Sequence, residues 1–263
     1  MAMLDTVHPS ELWAQVRAGS ITRPTSGMCR GFVQANLVIL PKDVAFDFLL
    51  FCQRNPKPCP VLDVTEPGSP HPLHAAPEAD LRTDIPKYRV YRKGVLVDEP
   101  TNLLSYWSGD LVAFLLGCSF TFETALAAND IPIRHIEEDV TVPMFITSVE
   151  CTPAGAFSGP LVVSMRPIPF EKVVRAVQVT SRFPSVHGAP VHIGDPERIG
   201  IKDLSRPDFG DAVTVRPGEV PVFWACGVTP QAVAMRSKPE LMITHAPGHM
   251  FVTTLKDEPM GVL

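Results

Sequence analysis

The sequence predicts an α/β fold, and three observations predict it. Apolar or β-branched runs of strand length alternate with amphipathic segments of helix length. Hydrophobic residues make up 45% of the 263 and charged residues 19%, which supplies a core and argues against disorder. The 28 prolines, about twice the usual share of ~5%, are spread among apolar segments and read as rigid loops and element boundaries.

Residues 9–18 read as a helix, with Pro9 at the first helical position and Gly19 as its stop. "FVQANLVIL" is apolar and short enough to be a strand. In "PKDVAFDFLLFCQRNP", Val44, Phe48, Phe51 and Cys52 fall on one helical face, and Pro56 ends the segment. "CPVLDVT" reads as a buried strand, followed over 66–86 by a long Pro-rich connection of a length that is often functional. "KYRVYRKGVLVDEP" is a hairpin turning at Lys93-Gly94. Ser108 to Leu116 reads as a short apolar helix, and Ser119 as the cap of another running to about Ala128.

Past residue 132 the character changes. "TVPMFITSVEC" and "GPLVVSMRPI" are β-branched strands, and Phe170 to about Arg182 is an amphipathic helix with Val173, Val174 and Val177 inward. "DAVTVRPGEVPVFWACG" reads as two strands joined at Pro217-Gly218. Thr229 as N-cap and Pro230 in the first turn start a helix in "VTPQAVAMRS". "ELMITHAPGHMFVT" closes the chain with two strands around Ala246–Gly248.

The formal charge of −5, with no Lys/Arg run, argues against nucleic acid as a partner. No N-terminal signal peptide is read, and the densest apolar run, "LVAFLL", is far short of the ~20 residues of a membrane span. A cytoplasmic protein with no membrane partner is the expectation. The six cysteines form no CxxC and match no zinc-finger spacing, so they read as reduced, mostly buried thiols.

Five stretches carry groups capable of chemistry. "TSRFPSVHGAPVHIGDP" (180–196) gathers Arg182, His187, His192 and Asp195 in a rigid loop, with Asp195 alternatively a turn cap. "VFWACGVTPQ" joins a strand to a helix start, where Gly227 permits close approach and Thr229 and Gln231 add hydrogen bonds to an anion. Cys226 there is either packing or a thiol of lowered pKa. In "THAPGHM", Pro247-Gly248 breaks any helical pairing of His245 with His249. Convergence of these two with His187 or His192 on a metal is a secondary reading. Gln34, Asn36 and Arg54 lie near the ends of an apolar strand and helix and suit a carboxylate or an amide. Glu123 and Arg166 sit in apolar segments, either as a buried brace between layers or as catalytic groups.

Taken in order, "QANLVILP", "FCQRNPKPCPVLDV", "DIPKYRVYRKG", "SFTFE", "GPLVVSMRPI", "TSRFPSVHGAPVHIGDP", "FWACGVTPQ" and "THAPGHMFVT" resemble the hydro-lyase, or D-glutamate cyclase, family over about residues 9–255. The resemblance implies a three-layer α/β main domain built from 1–112 and 214–263, with a smaller two-layer α+β domain, 113–213, inserted between them. It also implies a lyase that converts D-glutamate to 5-oxo-D-proline and water. That chemistry needs a base for the amine, polarisation of the γ-carboxyl, an oxyanion site and an acid for the leaving oxygen. Matched onto these motifs, Arg182 and Arg166 clamp carboxylates, Asp195 or Glu123 holds the ammonium, and His187, with His245 in reserve, moves the proton. The N–H groups after Gly227 hold the oxyanion. The expected partner is a small amino or carboxylic acid, and a homo-oligomer is compatible with the sequence. No cofactor is required by any step, and no metal is assigned.

Overall fold

A computed structural model describes residues 7–262. Its fold mixes helices with two sheets in which every strand pairing is antiparallel. After helix α1 (Pro9–Arg17) come β1 (Phe32–Pro41), α2 (Lys42–Arg54), β2 (Val61–Val64), β3 (Tyr88–Arg92), β4 (Val95–Asp98) and β5 (Leu111–Gly117). A 3-10 turn (Ser119–Phe122) leads into α3 (Glu123–Ala127) and α4 (Arg134–Glu137). Then follow β6 (Met144–Glu150), β7 (Pro160–Pro169), α5 (Val173–Ser181), β8 (His192–Ile193), β9 (Glu219–Ala225), α6 (Thr229–Ser237), β10 (Met242–His245) and β11 (Phe251–Lys256).

The first sheet runs β2-β5-β1-β10-β3-β4, with β11 also paired to β1, and the second runs β6-β7-β9-β8. The two strands nearest the C-terminus therefore return to the first sheet. Residue 113 lies inside β5, at the heart of that sheet, whereas β9 belongs to the second.

Alternation along β1 explains where polar groups enter the core. Ala35, Leu37 and Ile39 face one apolar cluster together with Trp13 and Leu81. Val38 and Leu40 face another, shared with Phe48 and Phe51 of α2 and with Val163, Met165, Phe223 and Ala225 of the second sheet. Gln34 and Asn36 continue that second row, and both are buried. The apolar row thus ends in amide groups where the two sheets meet.

Five local expectations are corrected. The segment read as a helix at Ser108–Leu116 is β5, buried at all seven of its residues between β1 and β2. A run buried on both faces carries no period to separate strand from helix. Residues 211–215 form no strand. The backbone N–H of Asp211 goes to the Thr141 carbonyl and that of Thr214 to the Glu138 carboxylate, so the segment is tied to a loop. Helix α5 buries Ala176, Val179 and Thr180, while Val174 is 68% exposed. Val173 and Val177 are half-buried, with Val173 packed against the cluster beneath the helix, so Val174 alone of the three expected inward turns to solvent. Val228, not Thr229, occupies the N-cap of α6, and Ser119 begins a 3-10 turn without capping it. Among the described residues no helix is long and apolar enough to cross a membrane.

Candidate active site

Three arrangements gather groups capable of chemistry. The first is an open cleft of about 390 Å³. One wall comes from the first sheet: Lys87, Arg89 of β3, Glu99 just past β4, and the turn Ala246–His249 between β10 and β11. The other wall is Asp208–Gly210, which is bridged to β6 through Phe209 and Met144. Lys87 and Arg89 are two apart on an extended chain and so share a face. The hairpin brings Glu99 back beside them, since Val90 pairs with Asp98. The Arg89 Nε donates to Glu99 Oε1 at 3.1 Å, and the Lys87 ammonium lies 3.6 Å from the same oxygen. Burial raises the Glu99 pKa, but Arg89 and then Lys87 outweigh it and hold the carboxyl below its ordinary value. The volume lies within the ~300–1,000 Å³ range of small-molecule sites.

The second arrangement lies behind the cleft. Gln231 accepts from Arg89 Nη1 at 3.3 Å and from the Tyr91 hydroxyl at 3.2 Å, and donates to the His245 carbonyl at 3.1 Å. The His245 ring places Nδ1 2.7 Å from the Ala246 carbonyl and Nε2 3.0 Å from Asn36 Oδ1. Asn36 Nδ2 in turn donates to the Gly117 carbonyl at 2.8 Å. Burial pushes the His245 pKa down to about 4, so the ring is neutral at pH 7. Gly227 has no room for a side chain here: a Cβ would stand 1.9 Å from Asn36 Nδ2. His187, held at φ +84°, has its Nδ1 2.7 Å from the Lys57 carbonyl, while its Nε2 is buried without a hydrogen-bond partner. Burial pushes its pKa down to about 4 as well.

The third arrangement is a charged knot on the second sheet. All three guanidinium nitrogens of Arg166 donate: Nε to Glu123 Oε1 at 2.9 Å, Nη1 to Ser164 at 3.1 Å, and Nη2 to Ser119 at 3.2 Å and to Glu123. His135 Nε2 lies 3.3 Å from the same Glu123 oxygen. The rings of Phe122 and Trp224 each stand 5.5 Å from the guanidinium carbon. Burial pushes the Glu123 pKa up, but His135 and Arg166 more than offset it, so the carboxylate stays ionised. Glu123 and Gln34 lie in the wall of a second, narrower cavity of about 200 Å³, together with the 27–32 loop.

The structure therefore gathers His187, His245, Asn36, Gly227 and Gln231 in or beside one buried network, and Glu123 and Arg166 in one ion pair. The other residues expected in the site fall elsewhere or are already committed. Asp195 is exposed and accepts from the Glu197 N–H at 3.1 Å, which makes it the cap of a 3-10 turn. Arg182 is exposed, donates through Nε to the Val262 carbonyl, and lies outside the linings of both cavities. Arg54 lies on the surface, bonded to the Pro153 carbonyl. Gln34 Nε2 donates to the Met28 carbonyl, while its Oε1 is buried without a hydrogen-bond partner in the wall of the second cavity. The start of α6 is closed to an anion: the N–H groups of Thr229 and Gln231 turn back onto the carbonyls of Cys226 and Val228. The Thr229 hydroxyl donates to Cys226 and accepts from Val162. Cys226 is no activated thiol, since burial pushes its pKa up to about 11. Among the described residues no three His, Cys, Asp or Glu side chains stand where they could hold a metal ion, so the four histidines of the two loops do not converge.

Lys87, Arg89, Glu99 and His249 were missed as a set by sequence reasoning. Their signal was the alternation of cations in "KYRVYRKG", where reading a hairpin accounted for the segment without asking what its face presents.

Residues 112–254 match the D-glutamate cyclase family. A protein of Bacillus licheniformis is 66% identical over 260 residues, covering 99% of both chains. One of Thermoanaerobacter pseudethanolicus is 68% identical over 257 residues, covering 98% of this chain and 97% of the relative. One of Bacillus subtilis is 64% identical over 255 residues, covering 97% and 99%. Each bears the name "Putative hydro-lyase", so the class to which this chain is similar is that of carbon–oxygen lyases. The chain belongs to the D-glutamate cyclase family.

Proposed function

We propose that the protein is a hydro-lyase that converts D-glutamate to 5-oxo-D-proline and water, and that the reaction takes place in the cleft beside Lys87, Arg89, Glu99 and His249. The observation that carries this reading is the pairing of two cations with one carboxylate in an open cavity of small-molecule size. A substrate with two carboxylates and one ammonium group complements that set.

In the reaction the α-nitrogen attacks the γ-carboxyl carbon, the C–N bond of the lactam forms, and one carboxyl oxygen leaves as water. The cationic wall lowers the negative charge on the γ-carboxylate and stabilises the tetrahedral oxyanion. His249 lies in the cleft wall with Nδ1 3.0 Å from the Pro247 carbonyl. Burial lowers its pKa, which favours the neutral ring, so His249 can relay protons: the ammonium nitrogen loses two of its three as the lactam forms, and the leaving oxygen takes both to depart as water. His245, Asn36 and Gln231 hold the wall in place from behind. Binding the chain in its ring-closing conformer supplies proximity.

The test is to incubate the pure protein with D- and L-glutamate and quantify 5-oxoproline by chiral chromatography, with and without added divalent metal. D-selective formation of 5-oxo-D-proline is the expected result. No D-selective turnover in either condition would overturn the cyclase reading.

A further inference from the structure

The cleft holds a carboxylate of its own. Glu99 Oε1 lies against both cations, at 3.1 Å from Arg89 Nε and 3.6 Å from Lys87 Nζ. The members of this set differ in how firmly they are held. The Arg89 side chain is 23% exposed, and its Nη1 is fixed by Gln231, which is itself fixed by Tyr91 and the His245 carbonyl. Glu99 follows β4, a strand exposed at all four residues, and its side chain is 36% exposed. The cation is braced from behind, and the carboxylate is held by the same two cations that a substrate carboxylate would take. An ion pair this exposed is weak, so an incoming carboxylate displaces Glu99 at little cost.

We propose that Glu99 is the specificity-determining residue of the cleft: a substrate carboxylate takes its place on Arg89 and Lys87, and the displaced Glu99 receives the substrate's ammonium group. The ligand class this selects is an α-amino dicarboxylate. The inference rests on reading the cleft as the substrate site.

The rest of the cleft supports the assignment. Asp208, the other acid in the lining, accepts the Ile146 N–H at 2.8 Å through Oδ2 on the opposite wall. Glu99 is the acid that a substrate carboxylate displaces when it takes Arg89 and Lys87. A plain dicarboxylic acid gains the same cations but leaves Glu99 with no positive partner and facing a like charge. A residue used in this way discriminates by repulsion as well as by attraction.

The experiment is calorimetric titration of the full-length protein at pH 7 with D-glutamate and with glutarate, which lacks only the amine. It is run on the wild type, Glu99→Gln and Lys87→Gln/Arg89→Gln, each checked for folding by circular dichroism. The wild type should bind D-glutamate about tenfold or more tighter than glutarate. Glu99→Gln should weaken D-glutamate and strengthen glutarate, so that the preference collapses toward unity. A purely structural loss would weaken both together. Lys87→Gln/Arg89→Gln should weaken both ligands. An unchanged preference in Glu99→Gln overturns the role of Glu99, even if wild-type turnover upholds the cyclase. The predicted pattern of binding without any turnover would uphold Glu99 and overturn the cyclase. Failure of the wild type to bind either ligand would overturn both.

Discussion

The cleft and the charged knot contain the same ingredients, an arginine, a glutamate and a histidine, yet the surroundings give them opposite roles. In the knot, Arg166, Glu123 and His135 are each at most 5% exposed, and the guanidinium is bonded through every nitrogen. In the cleft, Arg89 and Glu99 are partly open to water, and one carboxylate is shared between two cations. A buried pair that satisfies itself braces the fold, whereas an exposed and unevenly matched set is free to exchange partners with a ligand. Residue type alone does not decide which is which. Burial and the count of committed donors decide it.

The sharpest way to break this comparison is to delete one arginine from each region. Arg166→Ala should destabilise the protein by about 3–5 kcal/mol, because Glu123 is left charged and buried. Replacing Glu123 with Gln in the same chain should recover part of that loss. Arg89→Ala should cost less than about 1 kcal/mol of stability while weakening substrate binding. Denaturant melts on the two variants check both values. Equal losses would erase the distinction drawn between the two regions.

The histidines sharpen the comparison through pH. His187 and His245 are fully buried with pKa values pushed from 6.5 to about 4, so the folded protein binds fewer protons than the unfolded chain. Their contribution to stability is present above pH 6.5 and is lost as the pH falls from 6.5 toward 4. Each accounts for about 3 kcal/mol across that window. Stability measured against pH should fall steeply there, and His187→Gln should flatten the slope. A pH-independent melt between 7 and 4 would contradict the neutral buried rings.

Smaller effects follow at the margins of the network. Gly227→Ala should cost about 1–3 kcal/mol by driving a methyl into Asn36, read as a lowered melting temperature. Asp195→Ala should cost about 0.5–1 kcal/mol through the lost cap and leave turnover unchanged, which steady-state assays would show.

Much of the architecture was legible in the sequence where one physical signal acted alone. Pro9 and Gly19 bounded α1, the Lys93-Gly94 turn fixed the β3–β4 hairpin, and the row Phe48, Phe51 and Cys52 marked the buried face of α2. The segment Leu111–Gly117 was misread because burial on both faces removes the period that identifies a strand. Of the buried network, the amide Asn36 was visible as a polar break in the apolar row of β1. The stretch Thr180–Pro196 reads as one rigid loop of functional groups, but its backbone sends His187 inward and leaves Arg182 and Asp195 on the surface. Local density of polar groups does not reveal direction. Lys87, Arg89 and Glu99 lay in an ordinary hairpin, and only the approach of Asp208–Gly210 from the second sheet turns that hairpin into a cleft.

The most direct test of the account is the rate of 5-oxo-D-proline formation from D-glutamate by the wild type, Lys87→Gln/Arg89→Gln and Arg182→Gln. The account predicts wild-type activity for Arg182→Gln. For the cleft variant it predicts a loss of about a hundredfold or more in kcat/KM, with both variants melting within a few degrees of the wild type. Full activity without Lys87 and Arg89, or its loss with Arg182 alone, would contradict the placement of the site in the cleft.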